Sequence, residues 1–300
     1  MTERLGMLCI PPTRPLNPIA VSVLREVDAV AQDLHLSYFL IGAMARDVLL
    51  GHVFGLDTGR ATRDMDFAFA LEGWEQFQQL QERLMAGGHC VAVCDLPHRL
   101  LFRPGRKAQE YMVDLLPFGG VEQPPHTIAW PPDMQILMNV AGYRDVLETA
   151  PLIQVAPGLI IRIVSLPGLA LLKLFAWQDR GREGGKDAID LVTLCQRYAD
   201  AGNLERLYDE GMSALQAVEF NVELAGAWLL GKDMAATASP QTRVQLQGLL
   251  RDAHVSQQLV NDMVKAIRSR EDAVLYAEQL LDQFTRGFAS EVDHASNATS

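Results

Sequence analysis

The sequence predicts an α+β or α/β protein, in which a mixed β-sheet with flanking helices is followed by an all-α C-terminal domain. Two observations lead to this prediction. Up to about residue 165, short apolar and β-branched runs alternate with stretches of helical spacing. From Leu166 onward the hydrophobic period changes to about 3.6 residues and stays there, which is typical of packed helices.

The first 165 residues contain the alternating pattern. Ile19, Val23 and Val27 recur at helical spacing and predict a helix over 18–36, and the apolar run that follows predicts a strand over 37–41. A helix to about Leu50 and a glycine-containing loop come next. Further along we expect strands at 61–70, 100–103, 110–118, 152–155 and 159–164, a helix at 74–85, and a proline-rich loop at 123–134.

The remaining residues predict a helical domain. The expected helices are 166–180, 185–198, 204–212, 218–230, 242–253, 256–269 and 273–288. Residues 290–300 are mostly small and polar, so we expect a disordered tail there. The predicted organisation is therefore a catalytic domain at 1–165, a helical domain at 166–289 and a tail at 290–300.

Composition narrows the class of protein. With 300 residues, 49% of them hydrophobic, the chain can bury a good core. The net charge of −11 argues against a general nucleic-acid-coating protein. We expect no membrane span and a cytoplasmic location, because no apolar stretch is long enough and no secretory signal begins the sequence.

Two carboxylates stand out on the predicted strand at 61–70. Side chains two apart on a strand share a face, so Asp64 and Asp66 would stand side by side while Met65 and Phe67 point into the core. Because adjacent carboxylates repel, such a pair usually needs a compensating cation, and a divalent metal is the obvious one. The alternative is a pair of exposed acids on an edge strand.

A glycine turn precedes this strand. Gly42 follows the strand at 37–41 and begins a helix, where glycine lets another group approach closely and free N–H groups favour an anion. This is a place for a triphosphate, although the glycine could serve only the turn. A third carboxylate, Asp114, lies between Val113 and Leu115 on a later strand, where it is costly unless paired or bound to metal.

Together these features resemble the nucleotidyltransferase superfamily related to DNA polymerase beta, which has a glycine turn, an acid-x-acid strand and a third acid on a later strand. A closer resemblance, over about residues 37–194, is to the AbiEii/AbiGii-type nucleotidyltransferase toxins. It is carried by the runs at 42–47, 60–68, 113–120, 165–173 and 186–191. In many superfamily members Ser or a second Gly stands where this chain has Ala43, so backbone amides at Gly42 and Ala43, or the Arg46 side chain, would have to contact phosphate.

The resemblance implies a nucleotidyltransferase-type sheet and an enzyme that moves a nucleoside monophosphate from an NTP to an acceptor hydroxyl, releasing pyrophosphate. Asp64, Asp66 and Asp114 would be the catalytic metal ligands for Mg²⁺, with Mn²⁺ as a substitute. Two metals bridged by Asp64 and Asp66 would hold the triphosphate and the acceptor, and Asp114 would join the acceptor-side metal.

Charged residues of the helical part extend the predicted site. Lys173 lies among leucines, where an unpaired ammonium is expensive, so it should reach nucleotide phosphate or form a salt bridge to Asp190 or Asp187. We expect Asp190 to pair with Lys173 or to help position the base. For Arg180 and Lys186 the pattern favours ordinary solvated charges.

The four cysteines form no disulfide framework for a chain of this length. Cys90 and Cys94 on a strand would lie roughly 13 Å apart, too far to share one zinc ion. We therefore expect no zinc site and reduced thiols.

Three functions remain open. The leading one is a toxin of a toxin–antitoxin pair that acts on RNA such as tRNA, with NTP and a cognate antitoxin as partners. A basic hairpin of Arg99, Arg103, Arg106 and Lys107 is the nearest candidate RNA contact, or else a solvated turn. The others are nucleotidylation of a protein or small molecule, such as an antibiotic, and a catalytically silent nucleotide-binding module.

Overall fold

The structure is a computed structural model that describes residues 7–59, 62–105, 109–124, 126–180 and 185–298, with the backbone alone for 293–298. The chain divides into two compact units, Met1–Ser165 and Leu166–Ser300. Arg60, Ala61, Arg106 and Lys107, which enter the predictions above, lie outside the described residues. No helix among the described residues is both long and apolar enough to cross a membrane.

The first unit is built on a five-stranded mixed sheet. Its strands are β2 (Ser37–Ile41), β3 (Asp64–Leu71), β4 (Cys90–Ala92), β5 (Arg99–Phe102) and β6 (Tyr111–Gly119), in the order β2-β3-β6-β5-β4. β3 and β6 pair in parallel, and the other neighbours are antiparallel. β6 lies at the centre of the sheet and is buried along most of its length, which explains its nearly continuous apolar sequence.

Helices and smaller sheets complete this unit. α1 (Pro18–Asp33) begins with Pro18, and its N-cap Asn17 accepts a hydrogen bond from the Ile19 amide. The other helices are α2 (Gly42–Arg46), which continues as a π-helix (Asp47–Val53), α3 (Trp74–Ala86) and α4 (Tyr143–Thr149). A three-stranded sheet consists of β1 (Leu8–Cys9), β9 (Leu152–Ala156) and β10 (Leu159–Arg162). A hairpin is formed by β7 (Thr127–Ala129) and β8 (Leu137–Asn139).

In the described residues of the second unit, every regular element is a helix. Its helices are α5 (Leu166–Arg180), α6 (Lys186–Arg197), a π-helix (Ala199–Asn203), α7 (Leu204–Asp209), α8 (Met212–Ala217), α9 (Val222–Thr237), α10 (Pro240–Arg251), α11 (Ala253–Ile267) and α12 (Ala273–Ala298). α9 and α12 pack very closely at two glycines. A Cβ on Gly231 would meet the Phe284 carbonyl oxygen at 1.9 Å, and one on Gly287 would meet that of Trp228 at 1.8 Å.

Three secondary-structure predictions were wrong. The proline-rich segment at 123–134 contains β7 rather than only loop. The helices expected at 204–212 and 218–230 are instead α7, α8 and α9, because Glu219 and Phe220 have positive φ and interrupt any helix there. The tail expected to be disordered continues α12 to Ala298.

Candidate functional site

The strand register brings the three predicted carboxylates to one end of the large sheet. Asp66 on β3 lies directly opposite Asp114 on the parallel neighbour β6. Because paired positions on neighbouring strands share a face, both carboxylates stand on the same side of the sheet, and Asp64 stands there too. Asp64 is exposed, Asp66 is half-buried and Asp114 is only 7% exposed.

The glycine turn contacts this cluster directly. Gly42 has a φ of +72°, and a Cβ built on it would lie 1.9 Å from Oδ2 of Asp66. The carboxylate therefore packs against the bare backbone at the first residue of α2. Glycine is required at this position both for its left-handed conformation and for the space.

Asp114 already has a cation. Both of its carboxylate oxygens accept hydrogen bonds from Arg99, with Nε to Oδ1 at 2.7 Å and Nη2 to Oδ2 at 2.6 Å. Arg99 on β5 is the register partner of Asp114, so its guanidinium stands on the same face as the acids. The hydrogen bond to Asp114 raises the pKa of Arg99 against the opposing effect of burial, and the charges of Asp64 and Asp66 add to it.

This pairing bears on two expectations. Asp114 was predicted to be a metal ligand, and that role stays a prediction; in the structure both of its carboxylate oxygens accept hydrogen bonds from Arg99. Arg99 was placed in a candidate RNA-binding hairpin, whereas it belongs to the acid cluster. Arg103 of the same hairpin pairs with Glu110, Nε to Oε1 at 2.7 Å. The sequence carries a weak signal for Arg99: an acid buried between apolar neighbours needs a cation, and a basic residue on a neighbouring strand can supply it.

Arg46, for which a phosphate contact was predicted, is buried in the structure. It is 1% exposed and hydrogen-bonds Oδ1 of Asp47, through Nε at 3.0 Å and Nη2 at 2.6 Å. The other oxygen of Asp47 accepts from the backbone amide of Thr62 at 3.2 Å. The pair therefore ties the π-helix to the segment that leads into β3.

The second unit contains a compact ion-pair cluster of its own. Lys173 on α5 contacts Asp187 Oδ1 at 2.8 Å and Asp190 Oδ2 at 2.7 Å, both on α6. Asp190 is fully buried and Lys173 is 12% exposed. Although burial alone lowers the pKa of Lys173, the two carboxylates outweigh it and raise the pKa. Of the alternatives for Lys173, the structure shows the salt bridge, and Arg180 also contacts Asp187 at 3.3 Å.

Metal ligation can be judged from the residues present. Among the described residues, no three His, Cys, Asp or Glu side chains form a group that could hold a metal ion. Asp64 and Asp66 do fit a cation that is completed by substrate oxygens, because Mg²⁺ is commonly held by one or two carboxylates plus phosphates and water. The packing of Asp66 against Gly42 leaves that carboxylate next to the turn where a triphosphate is expected.

Comparison with solved structures found nucleotidyltransferases. The solution structure of the antibiotic-resistance factor ANT(2'')-Ia is 16% identical, covers 68% of this chain and 98% of its own, and has a TM-score of 0.36. The crystal structure of ANT(2")-Ia with adenylyl-2"-tobramycin is 17% identical over 67% and 96%, with a TM-score of 0.35. A CCA-adding enzyme in complex with ATP is 10% identical over 91% and 80%, with a TM-score of 0.32.

TM-scores of this size do not establish a shared fold, and comparison with curated proteins gave no match. The family model gives the decisive result. The model for the nucleotidyl transferase AbiEii toxin of type IV toxin–antitoxin systems matches residues 24–265, which is most of the chain and includes all the carboxylates described above. The chain therefore belongs to the AbiEii family of nucleotidyltransferases.

Proposed function

We propose that this protein transfers a nucleoside monophosphate from an NTP to a hydroxyl group of an RNA such as tRNA, and that it is the toxin of a toxin–antitoxin pair. The observation that carries the proposal is the placement of Asp64 and Asp66 on one strand face beside Gly42, in a member of the AbiEii family. As parts of the same proposal, the protein has a cognate antitoxin as a partner and acts in the cytoplasm.

The proposed reaction forms one phosphorus–oxygen bond and breaks another. The acceptor oxygen forms a new bond to the α-phosphorus, the bond from that phosphorus to the oxygen bridging the β-phosphorus breaks, pyrophosphate leaves, and the acceptor proton passes to solvent. A divalent cation, Mg²⁺ or Mn²⁺, supplies charge neutralisation when it is bound. Asp64 and Asp66 would hold it, and the backbone at Gly42 and Ala43 would lie along the triphosphate.

The roles of the other predicted ligands change with their contacts. Arg46 in the first unit, and Lys173 and Asp190 in the second, are each engaged in buried ion pairs, so we assign each of them a structural role within its own unit. Catalysis would then depend on positioning and charge neutralisation by few groups, as in other phosphoryl-type transfers.

One observation favours a second acceptor class, a protein or a small molecule. In the described part of the candidate RNA hairpin, Arg99 and Arg103 are both paired with acids, so their positive charge is largely compensated. The net charge of −11 acts in the same direction, since phosphate backbones are attracted by uncompensated basic residues. RNA binding would therefore depend on other basic residues.

The test is to incubate the purified chain with each α-labelled NTP and Mg²⁺, together with total tRNA or with RNA-depleted cell extract. Label transferred to RNA would support the leading proposal, and label on protein or small molecules would support the second. Bound NTP with no transfer to any acceptor would contradict both and indicate a silent nucleotide-binding module. The Asp66→Asn variant is the matched control for contaminating activity.

A further inference from the structure

The helix that follows the glycine turn contacts the acid strand at two places. At Gly42, its first residue, the backbone packs against the carboxylate of Asp66. Further along the same helix, Oδ2 of Asp47 accepts a hydrogen bond from the backbone amide of Thr62 at 3.2 Å. Thr62 lies just before β3, which begins at Asp64. One helix is therefore joined both to Asp66 and to the segment that leads into Asp64.

The side chain of Thr62 carries this connection on to Asp64. Its Oγ1 accepts a hydrogen bond from the backbone amide of Asp64 at 3.1 Å. A bond from a threonine hydroxyl to the amide two residues later closes a tight turn and fixes the local path of the chain. The backbone at Asp64, whose own side chain is exposed, is thus held by Thr62.

Asp47 is itself held from inside the protein. Its Oδ1 accepts two hydrogen bonds from Arg46, through Nε at 3.0 Å and Nη2 at 2.6 Å, and both residues are buried. A buried carboxylate that binds a guanidinium through two donors has little freedom to move, because displacing it would leave a buried charge uncompensated. Oδ2 of Asp47 is therefore a fixed acceptor for the Thr62 amide.

We propose that Asp47 and Thr62 are positioning residues for the transfer reaction. Hydrogen bonds run from the buried guanidinium through Asp47 and Thr62 to the Asp64 amide, and they set where the Asp64 carboxylate stands relative to Asp66. The inference rests on the proposed function, since it concerns the acids of the same reaction. Because a displacement of about 1 Å at a reacting group can lower a rate by about a hundredfold, the connection should affect the transfer step rather than NTP binding.

The test compares two variants of the full-length protein at one position. Thr62→Val removes the acceptor and keeps the branched shape, whereas Thr62→Ser keeps the hydroxyl. We expect kcat for transfer to fall by about tenfold or more in Thr62→Val, with the NTP dissociation constant unchanged, and to be restored in Thr62→Ser. Asp133→Ala is the matched control and should keep the wild-type kcat, because Oδ1 of Asp133 accepts from the Gln135 amide at the same spacing and also at 3.1 Å.

A second readout needs neither nucleotide nor metal. Hydrogen exchange of the Asp64 amide, followed by nuclear magnetic resonance, should be several-fold faster in Thr62→Val than in the wild type or in Thr62→Ser. Asp47→Asn tests the other end of the connection. Combined with Thr62→Val, it should lower kcat by less than the product of the two separate losses, because both changes interrupt the same hydrogen bonds. If Asp47→Asn does not fold, the two Thr62 variants still decide.

A wild-type kcat in Thr62→Val, or an equal loss of kcat in Thr62→Ser, would overturn the inference. Unchanged exchange of the Asp64 amide in Thr62→Val would overturn it as well. Failure of the wild type to transfer label to any acceptor would instead overturn the proposed function. Amide exchange would then still show whether Thr62 holds the backbone at Asp64.

Discussion

The carboxylate of Asp66 packs against the backbone of Gly42, so closely that no side chain fits between them. Ile41, at the end of β2, is the register partner of Asp66, and the chain turns into α2 at the next residue. The glycine turn and the acid strand, which are separated by more than twenty residues in sequence, therefore form one local structure. This contact makes the geometry of the turn and the position of the carboxylate interdependent.

Gly42→Ala should damage both stability and transfer. The left-handed conformation costs an alanine roughly 1 kcal/mol or more, and the new methyl group must also displace the Asp66 carboxylate. Urea denaturation and an NTP-transfer assay measure the two effects. Gly158→Ala is the matched control, since Gly158 has a φ of +69° and nothing lies within 4 Å of the place that its Cβ would occupy. Equal losses of stability in the two variants, with transfer unaffected, would contradict the role given to this contact.

Asp66→Asn should abolish transfer while the fold remains intact. Loss of a carboxylate that holds the cation removes several kcal/mol of charge stabilisation, which corresponds to about a hundredfold or more in rate. Steady-state transfer rates and a thermal melt are the measurements. Asp57→Asn, at an exposed acid of the same unit, should behave like the wild type. Comparable rates for Asp66→Asn and wild type would exclude Asp66 from the chemistry.

Lys173→Met should strongly lower the free energy of unfolding of the helical unit. It leaves Asp187 and the fully buried Asp190 without their ammonium partner, and breaking a buried pair in this way typically costs about 3–5 kcal/mol. Arg286→Met is the control: it removes an exposed pair with Asp282 and should cost at most about 1 kcal/mol. Urea denaturation compares the two, and similar small losses would show that the Lys173 cluster contributes little.

The stabilising effect of Lys173 should also depend on pH in a defined direction. Because the folded-state pKa of Lys173 is raised above its ordinary value of 10.5, the ion pairs stabilise fully below that pH. Their contribution is lost as pH rises through the raised pKa. The difference in unfolding free energy between wild type and Lys173→Met should therefore be constant near neutrality and shrink in strong alkali. A difference that grows with pH would contradict this assignment.

The thiols should fall into two reactivity classes. Cys9 and Cys94 are exposed, whereas burial raises the pKa of Cys90 and Cys195 to about 12, with the Glu26 charge adding to the effect at Cys90. Since the thiolate is the reactive form, two of the four cysteines should react readily with an aromatic disulfide reagent at pH 8. All four should react in denaturant. Rapid reaction persisting in a Cys9→Ser, Cys94→Ser double variant would show that a buried thiol is accessible.

The sequence by itself determined much of the local structure. Alternation and turn chemistry located β2, β3 and β6 to within a few residues, and the change of period located the start of the helical part at Leu166. These signals are local, because the facing of side chains along one strand or helix follows from its own backbone geometry. Strand geometry alone was enough to predict that Asp64 and Asp66 lie on one face.

Only the tertiary structure decided which charges meet. That Asp114 binds Arg99 and that Gly42 contacts Asp66 both depend on how separate strands are paired in the sheet. A shift of one residue in a strand would send each side chain to the other face, and no local pattern specifies that pairing. The sequence thus predicted the acids of the cluster, while the pairing of the strands brought Arg99 to Asp114.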